Sequence, residues 1–194
     1  MAPFLLLVIA LLQAAPRQAT GDPFAKASAV ELNLYQAVID TTKGKITLEF
    51  MADKAPDAVR NFLQLAAAEV YDNTLVHRVL PGVLIQTGAP FYRSIRLTAR
   101  QQRLIHKLPP EFSSVKNVPG IVSMARDEDD PKDAGETSFF ICTGRCQQFD
   151  GKYTAFARVV GGMPVVKAIS SVPLKGERPI EKVIVIQVTV AKKK

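Results

Sequence analysis

The rhythm of this chain constrains its fold more than any other feature. Short apolar runs follow one another, each stopped by turn residues, and only two segments carry helical spacing. "YQAVIDTTKGKITLEFM" reads as a hairpin turning at Thr-Lys-Gly-Lys, where Gly44 supplies a positive φ. In "DKAPDAVRNFLQLAAAEVYDN", Val59, Phe62, Leu63 and Ala66 recur at helical spacing behind Pro56, and the pattern frays at Tyr71-Asp72-Asn73. "VHRVLPGVLIQTG" reads as strand, Pro81-Gly82 turn and strand; "GIVSMAR" and "TSFFICTG" are further strands. "FDGKYTAFARVVGGM" holds a turn at Asp150-Gly151 and a strand through Val160. "MPVVKAISS" is a second short helix, and "IEKVIVIQVTVA" is the last strand. The helices do not alternate with strands, which excludes a parallel βαβ sheet. Closure would remove exposed edges, so the expected fold is mainly β: a closed antiparallel barrel of seven or eight strands capped by two α-helices.

Two stretches stand outside that rhythm. "FLLLVIALL", Phe4 to Leu12, is too short to span a bilayer and fits a signal-peptide core; the small polar flank "QAAPRQATGDP" follows, and Ala14 is one candidate for the last leader residue. The expected organisation is a leader over residues 1–19, a linker over 20–34, a domain over 35–191 and a basic tail over 192–194. Such a protein is exported, periplasmic or secreted, with no stable membrane insertion once the leader is gone. The second stretch is Ala89 to Pro119. Its Arg93, Arg96, Arg100, Arg103 and Lys107 fall at spacings of three and four, either one face of a helix or, the preferred reading, a long solvated connection.

Composition narrows the function classes. Hydrophobic residues make up 47% and charged residues 22%, the balance of a globular chain. The formal charge of +7 suits anionic partners only weakly. There is no Gly-rich phosphate loop and no Cys/His cluster, so no nucleic acid or zinc-type metal site is expected. The acidic run Asp127 to Asp130 fits no calcium motif and reads as a solvated loop. Cys142 and Cys146 either pair or stay free; their spacing is not that of a C-x-x-C redox motif.

One motif poses a chemical question. Arg is rarely buried unless paired, yet Arg78 stands in an apolar run that doubles back over it. "HRVLPGVLIQTG" resembles the His-Arg-x-x-Pro-Gly-Phe-Met-x-Gln-Gly-Gly signature of the cyclophilins. "GIVSMAR…SFFICTG…FDGKYTAFARVVGGMPVVKAI" resembles a second run of that family, in order and at matching spacing, so the likeness covers about residues 36 to 190. It implies an eight-stranded barrel with two capping helices, peptidyl-prolyl cis-trans isomerisation without a cofactor, and Pro-containing peptide segments as partners. By the same resemblance, Arg78 matches the catalytic Arg, Gln86 the Gln that orients it, and Phe140 the floor of the proline pocket. Leu84 stands where Met is usual, Val83 where Phe is, and Phe149 where Leu is. Ala125 and Arg126 stand at an Ala-Asn pair whose backbone faces the peptide. Ser138 replaces Gln, Gln148 replaces Trp or another apolar residue, and Tyr153 replaces His. The family's glycine-rich stretch is absent, and Arg93 to Lys107 takes its place, so the substrate groove is altered.

These residue types suit the implied chemistry. Rotating a prolyl bond crosses a barrier of about 18–20 kcal/mol. The twisted state returns a lone pair to nitrogen, and a donor aimed there stabilises it above either planar form. Arg is permanently charged and carries a rigid fork of donors. Phe139 and Phe140 are neighbours in a strand and point to opposite faces, so one is core and only one lines a pocket. His77 reads as a packed structural residue; Tyr153 either hydrogen-bonds a substrate or covers the rim. The expected protein is a monomeric isomerase acting on exported or unfolded chains. The alternative is a module on the same scaffold that binds peptides with little turnover.

Overall fold

The computed structural model describes residues 22–126 and 135–193. The leader, its candidate cleavage site at Ala14 and the run Asp127 to Asp130 lie outside the described residues.

A hairpin leads the sheet. β1 (Tyr35–Thr41) and β2 (Gly44–Phe50) pair from Gln36↔Glu49 to Thr41↔Gly44. β3 (Thr74–Leu75), β4 (Arg78–Leu80) and β5 (Leu84–Thr87) follow, then β6 (Ile121–Met124), β7 (Phe139–Cys142) and β8 (Ala155–Gly161). β9 (Leu174–Lys175) and β10 (Arg178–Pro179) pair only with each other, and β11 (Ile184–Lys192) closes the chain. The main sheet has nine strands in the order β3-β11-β1-β2-β8-β6-β7-β5-β4.

The expected closed eight-stranded barrel is therefore corrected to a curled half-barrel of nine strands, open between β3 and β4, with a two-stranded ribbon beside it. Thr74 to Leu80 leaves one edge of the sheet and joins the other, so the edges are linked by the chain and not by a ladder. The crossing is pinned on both sides: Val76 N–H donates to the Val183 carbonyl at 2.9 Å, and His77 N–H to the Gln86 carbonyl at 3.1 Å.

Among the described residues the two expected helices become four. α2 (Pro56–Ala67) and α4 (Met163–Ser170) lie where helical spacing placed them. α1 (Ala29–Leu32) and α3 (Ala99–Gln102) are single turns held by capping boxes, Ser28 with Glu31 and Thr98 with Gln101. Those Ser-x-x-Glu and Thr-x-x-Gln pairs are visible in the sequence without any apolar periodicity. The basic residues from Arg93 to Lys107 do not line one helix, because α3 spans only four of the positions between them. Ahead of β1, Phe24 and Leu32 are buried in the core.

The connection from α3 to β6 is anchored by Leu108, buried in the core, with Leu104 and Ile105 packed against it, and polar bonds tie down the rest. The N-cap of α2 is Ala55, which has no side-chain acceptor. Glu111 supplies one from across the fold, accepting from Asp57 N–H at 3.0 Å and Ala58 N–H at 2.9 Å. Its own N–H donates to Thr154 Oγ1 at 3.0 Å, just ahead of β8.

Period-two alternation divides the buried residues into two clusters. Val79, Ile85, Val122, Ile141, Phe139 and Met124 point to the concave side, where α2 fills the half-barrel. There Phe62 meets Phe50, Tyr71, Phe139 and Phe156 with ring centroids 4.9–5.6 Å apart. Leu84, Phe140 and Cys142 point the other way and build a smaller cluster with Cys146 and Tyr153.

Candidate active site

The site grows from one row of that outer face. Arg78 pairs with Gln86 across β4 and β5, Gln86 with Phe140 across β5 and β7, and Phe140 with Ser123 across β7 and β6. Residues directly opposite in antiparallel strands share a face, so these four side chains stand in line. The next row, Leu80, Leu84 and Cys142, is apolar. Arg78 is not buried among its apolar neighbours. Its side chain is 42% exposed at the sheet edge, above a greasy row.

Three hydrogen bonds orient the polar end. Arg78 Nη1 donates to Gln86 Oε1 at 3.5 Å, Gln86 Nε2 to Ser138 Oγ at 3.3 Å, and Ser138 Oγ to the Thr87 carbonyl at 3.1 Å. Ser138 thus settles which way the Gln86 amide faces. Arg78 also carries an ion pair that sequence reasoning missed: its Nε donates to Glu177 Oε2 at 2.8 Å. That bond holds the Glu177 carboxyl below the usual carboxylate range.

Three rings form the apolar end. Phe140, Phe149 and Tyr153 meet edge to face, with centroids 5.0–5.5 Å apart. Phe140 is buried, and Leu84 packs beside it with Leu80, Val83 and Ala125. Arg126 lies over the Tyr153 ring at 5.6 Å and donates from Nε to the Lys152 carbonyl at 3.0 Å. Gln148 is exposed on the 3-10 turn Gln147–Phe149. A hollow of about 290 Å³ adjoins the row, lined by Gln86, Ala125, Arg126, Gly135, Glu136, Thr137 and Ser138. A larger hollow of about 460 Å³, between residues 22–35 and Lys192, shares no residue with this site.

Two supports hold the rings in place. Asp150 accepts from Arg145 Nη2 at 2.8 Å, Arg145 Nη1 at 3.1 Å and Asn117 N–H at 2.8 Å, which drives its carboxyl far below the usual range. This clamp fixes the turn between Phe149 and Tyr153. The Val83 carbonyl accepts from Thr143 N–H at 2.8 Å and from Cys146 Sγ at 3.2 Å. Gly144 comes so close to this turn that a Cβ would lie 1.9 Å from the Gly82 carbonyl oxygen. Both thiols are free, and burial pushes both above the usual thiol range. They stay protonated and serve as packing, not as nucleophiles. His77, read as structural, is half-buried with its ring stacked on Tyr92 at 4.7 Å; burial holds its imidazole below the usual range.

Among the described residues no group of three or more His, Cys, Asp and Glu is placed to hold a metal ion. What the geometry offers is a fixed cationic donor beside an apolar floor on an open groove.

That combination of curled sheet and outer-face groove defines a cyclophilin-type fold. The structure matches a Cryptosporidium parvum cyclophilin type peptidyl-prolyl cis-trans isomerase, crystallised in the presence of the dipeptide Ala-Pro. The TM-score is 0.71 and the identity 25%, over 81% of this chain and 99% of that one. The family model "Cyclophilin type peptidyl-prolyl cis-trans isomerase/CLD" matches residues 36–190. The sequence is 33% identical to peptidyl-prolyl cis-trans isomerase cypE of Dictyostelium discoideum, over 78% of this chain and 94% of that protein. It is 34% identical to peptidyl-prolyl cis-trans isomerase-like 1 of Aspergillus fumigatus, over 79% and 93%. The chain belongs to the cyclophilin-type peptidyl-prolyl cis-trans isomerase family and is an enzyme of that isomerase class.

Proposed function

We propose that this protein accelerates rotation about X-Pro bonds in exported or unfolded chains, with Arg78 as donor to the prolyl nitrogen. One observation carries the reading: Arg78, Gln86 and Phe140 occupy successive places in a single cross-strand row. A proline ring seated on Phe140, between Leu84 and Phe149, brings its nitrogen toward the guanidinium. The planar imide has no lone pair to offer, whereas the twisted imide does. The Arg78 donor therefore favours the twisted state and leaves the two planar states alike. Its permanent charge means that no proton changes hands. The aromatic floor excludes water from one side and strengthens the field at the nitrogen.

The remaining residues shape the groove. The backbone of Ala125 and Arg126 faces the peptide, Val83 leaves a smaller wall, and Ser138, Gln148 and Tyr153 set which flanking residues fit. Occupancy by a Pro-containing segment is supported by the Ala-Pro dipeptide used with the Cryptosporidium relative. The leader over residues 1–19 places the monomeric enzyme where newly exported chains fold.

Exchange spectroscopy on a prolyl peptide tests the mechanism. Wild type should accelerate cis–trans exchange, and Arg78→Ala should slow it roughly a hundredfold, the usual cost of removing one preorganised donor, while circular dichroism shows an intact fold. Equal rates for the two proteins would replace this reading with a peptide-binding module. Export is checked by N-terminal sequencing of protein recovered outside the cytoplasm; Met1 as its first residue would remove the leader.

A further inference from the structure

The donor's orientation depends on a residue far away in sequence. β9 and β10 pair Lys175 with Arg178 and Leu174 with Pro179, so Gly176 and Glu177 are the whole loop of the ribbon. Gly176 has φ +63°, the positive value that tight hairpin loops assign to glycine. The ribbon lies along β4, the edge strand that carries Arg78. Two bonds from one residue fasten it there. The Glu177 carbonyl accepts from Val79 N–H at 2.7 Å, and its carboxylate accepts from Arg78 Nε at 2.8 Å.

A guanidinium is flat, with its donors in a rigid fork, so two anchored nitrogens fix its plane. The anchors are Nε on Glu177 and Nη1 on Gln86. They are unequal: the first is short and charge-assisted, while the second, at 3.5 Å, is at the outer limit of a hydrogen bond. Gln86 marks the direction of the floor, but Glu177 supplies the firmer hold. With Nε committed at the sheet edge, the unused donors lie on the Nη side, toward Gln86.

We infer that Glu177 is a positioning residue for isomerisation: it holds Arg78 by Nε so that the Nη donors face the prolyl nitrogen. The inference rests on the reading of Arg78 as the donor. Two consequences separate it from a merely structural loop. The backbone bond to Val79 does not involve the Glu177 side chain, so replacing that side chain leaves the ribbon docked. And the effect passes through an atom that can be watched directly, Arg78 Nε–H.

The test compares wild type, Glu177→Gln and Glu177→Ala by two measurements on the 15N-labelled protein. Exchange spectroscopy with a prolyl peptide should show Glu177→Ala slower by roughly ten- to a hundredfold, as for a misplaced catalytic group. The loss should fall mainly in kcat, and Glu177→Gln, which keeps an acceptor, should recover part of it. The Arg78 Nε–H resonance, assigned by its disappearance in Arg78→Ala, should move in Glu177→Ala. A wild-type rate in Glu177→Ala overturns the inference, and so does a slowed rate with an unmoved Nε–H signal. If Arg78→Ala itself turns over at the wild-type rate, the donor reading fails first. The Glu177 contact seen at Nε–H then has no catalytic consequence. If Arg78→Ala is inactive and Glu177→Ala is not, only the positioning role is lost.

Discussion

Phe139 and Phe140 are chemically identical neighbours, each almost wholly buried, and the structure assigns them opposite consequences. Phe139 points into the half-barrel, with ring centroids 5.4 Å from Phe62, 5.6 Å from Tyr71 and 6.3 Å from Phe156. Truncating a core Phe to Ala costs about 3–5 kcal/mol, and the lost ring contacts place this site toward the upper end. At about 2–4 °C per kcal/mol for a chain of this size, Phe139→Ala should melt roughly 10–20 °C lower. Among the described residues Phe140 has only Phe149 and Tyr153 as ring partners, in a cluster that opens onto the groove. Its removal leaves a notch that water can enter, so the cost should be about 2–3 kcal/mol and the shift roughly 4–12 °C. Activity should reverse the order. At a temperature where both variants are folded, Phe139→Ala should retain exchange activity within about threefold, since the row above it is untouched. On the proposed mechanism Phe140→Ala removes the proline seat, worth about 1.5–3 kcal/mol of apolar burial, and should lose roughly ten- to a hundredfold. Thermal unfolding and exchange spectroscopy on the same samples decide the matter. Equal activity losses, or a larger loss for Phe139→Ala, would refute the division of the sheet into a structural and a working face.

Two further outcomes follow from the supports of the site. Gly144→Ala forces a methyl group against the Gly82 carbonyl; the strain should lower stability by about 1–3 kcal/mol by urea unfolding and displace the Val83–Leu84 wall, and an unchanged midpoint would show that the turn yields freely. His77 is held below its usual range by burial, with Arg178 and Arg78 adding to the effect. The unfolded chain therefore takes up a proton near pH 6.5 that the folded chain refuses, so stability should fall as pH drops from about 6.5 through the folded value and level off below it. His77→Phe, which keeps a ring against Tyr92, should flatten that slope; an identical slope in both proteins would assign it to other groups.

What was legible in the sequence was whatever depends on local period. The hairpin, α2, α4 and the opposite facing of Phe139 and Phe140 follow from spacings of 2 and 3.6, and they stand as read. The Arg78–Gln86 pairing was legible because Pro81-Gly82 folds one strand back on the other. Closure of the barrel was not. It depends on how the sheet's two edges meet, and no local pattern in Thr74 to Leu80 shows that one extended stretch serves both. Glu111 and Glu177 were also hidden. Each acts on a partner 53 or more residues away, through bonds whose donors and acceptors look like ordinary surface polar groups in a linear reading. The stretch from Ala89 to Pro119 showed no periodicity because its core-facing residues, Leu97, Leu104, Ile105 and Leu108, are irregularly spaced and polar contacts hold the chain between them, including Gln101 Nε2 to the Ala68 carbonyl at 2.7 Å and Arg93 Nη1 to the Val70 carbonyl at 3.3 Å.

The seam between β3 and β4 also bears on how this protein meets other chains. An unclosed sheet ordinarily offers its margins as templates for adhesion. Here both margins are only two or three residues long. The Leu75 carbonyl is taken by the Thr87 hydroxyl, and the Val79 amide by the ribbon. Another strand approaching this border finds few free backbone groups to pair with, so the open sheet is protected from edge-to-edge association.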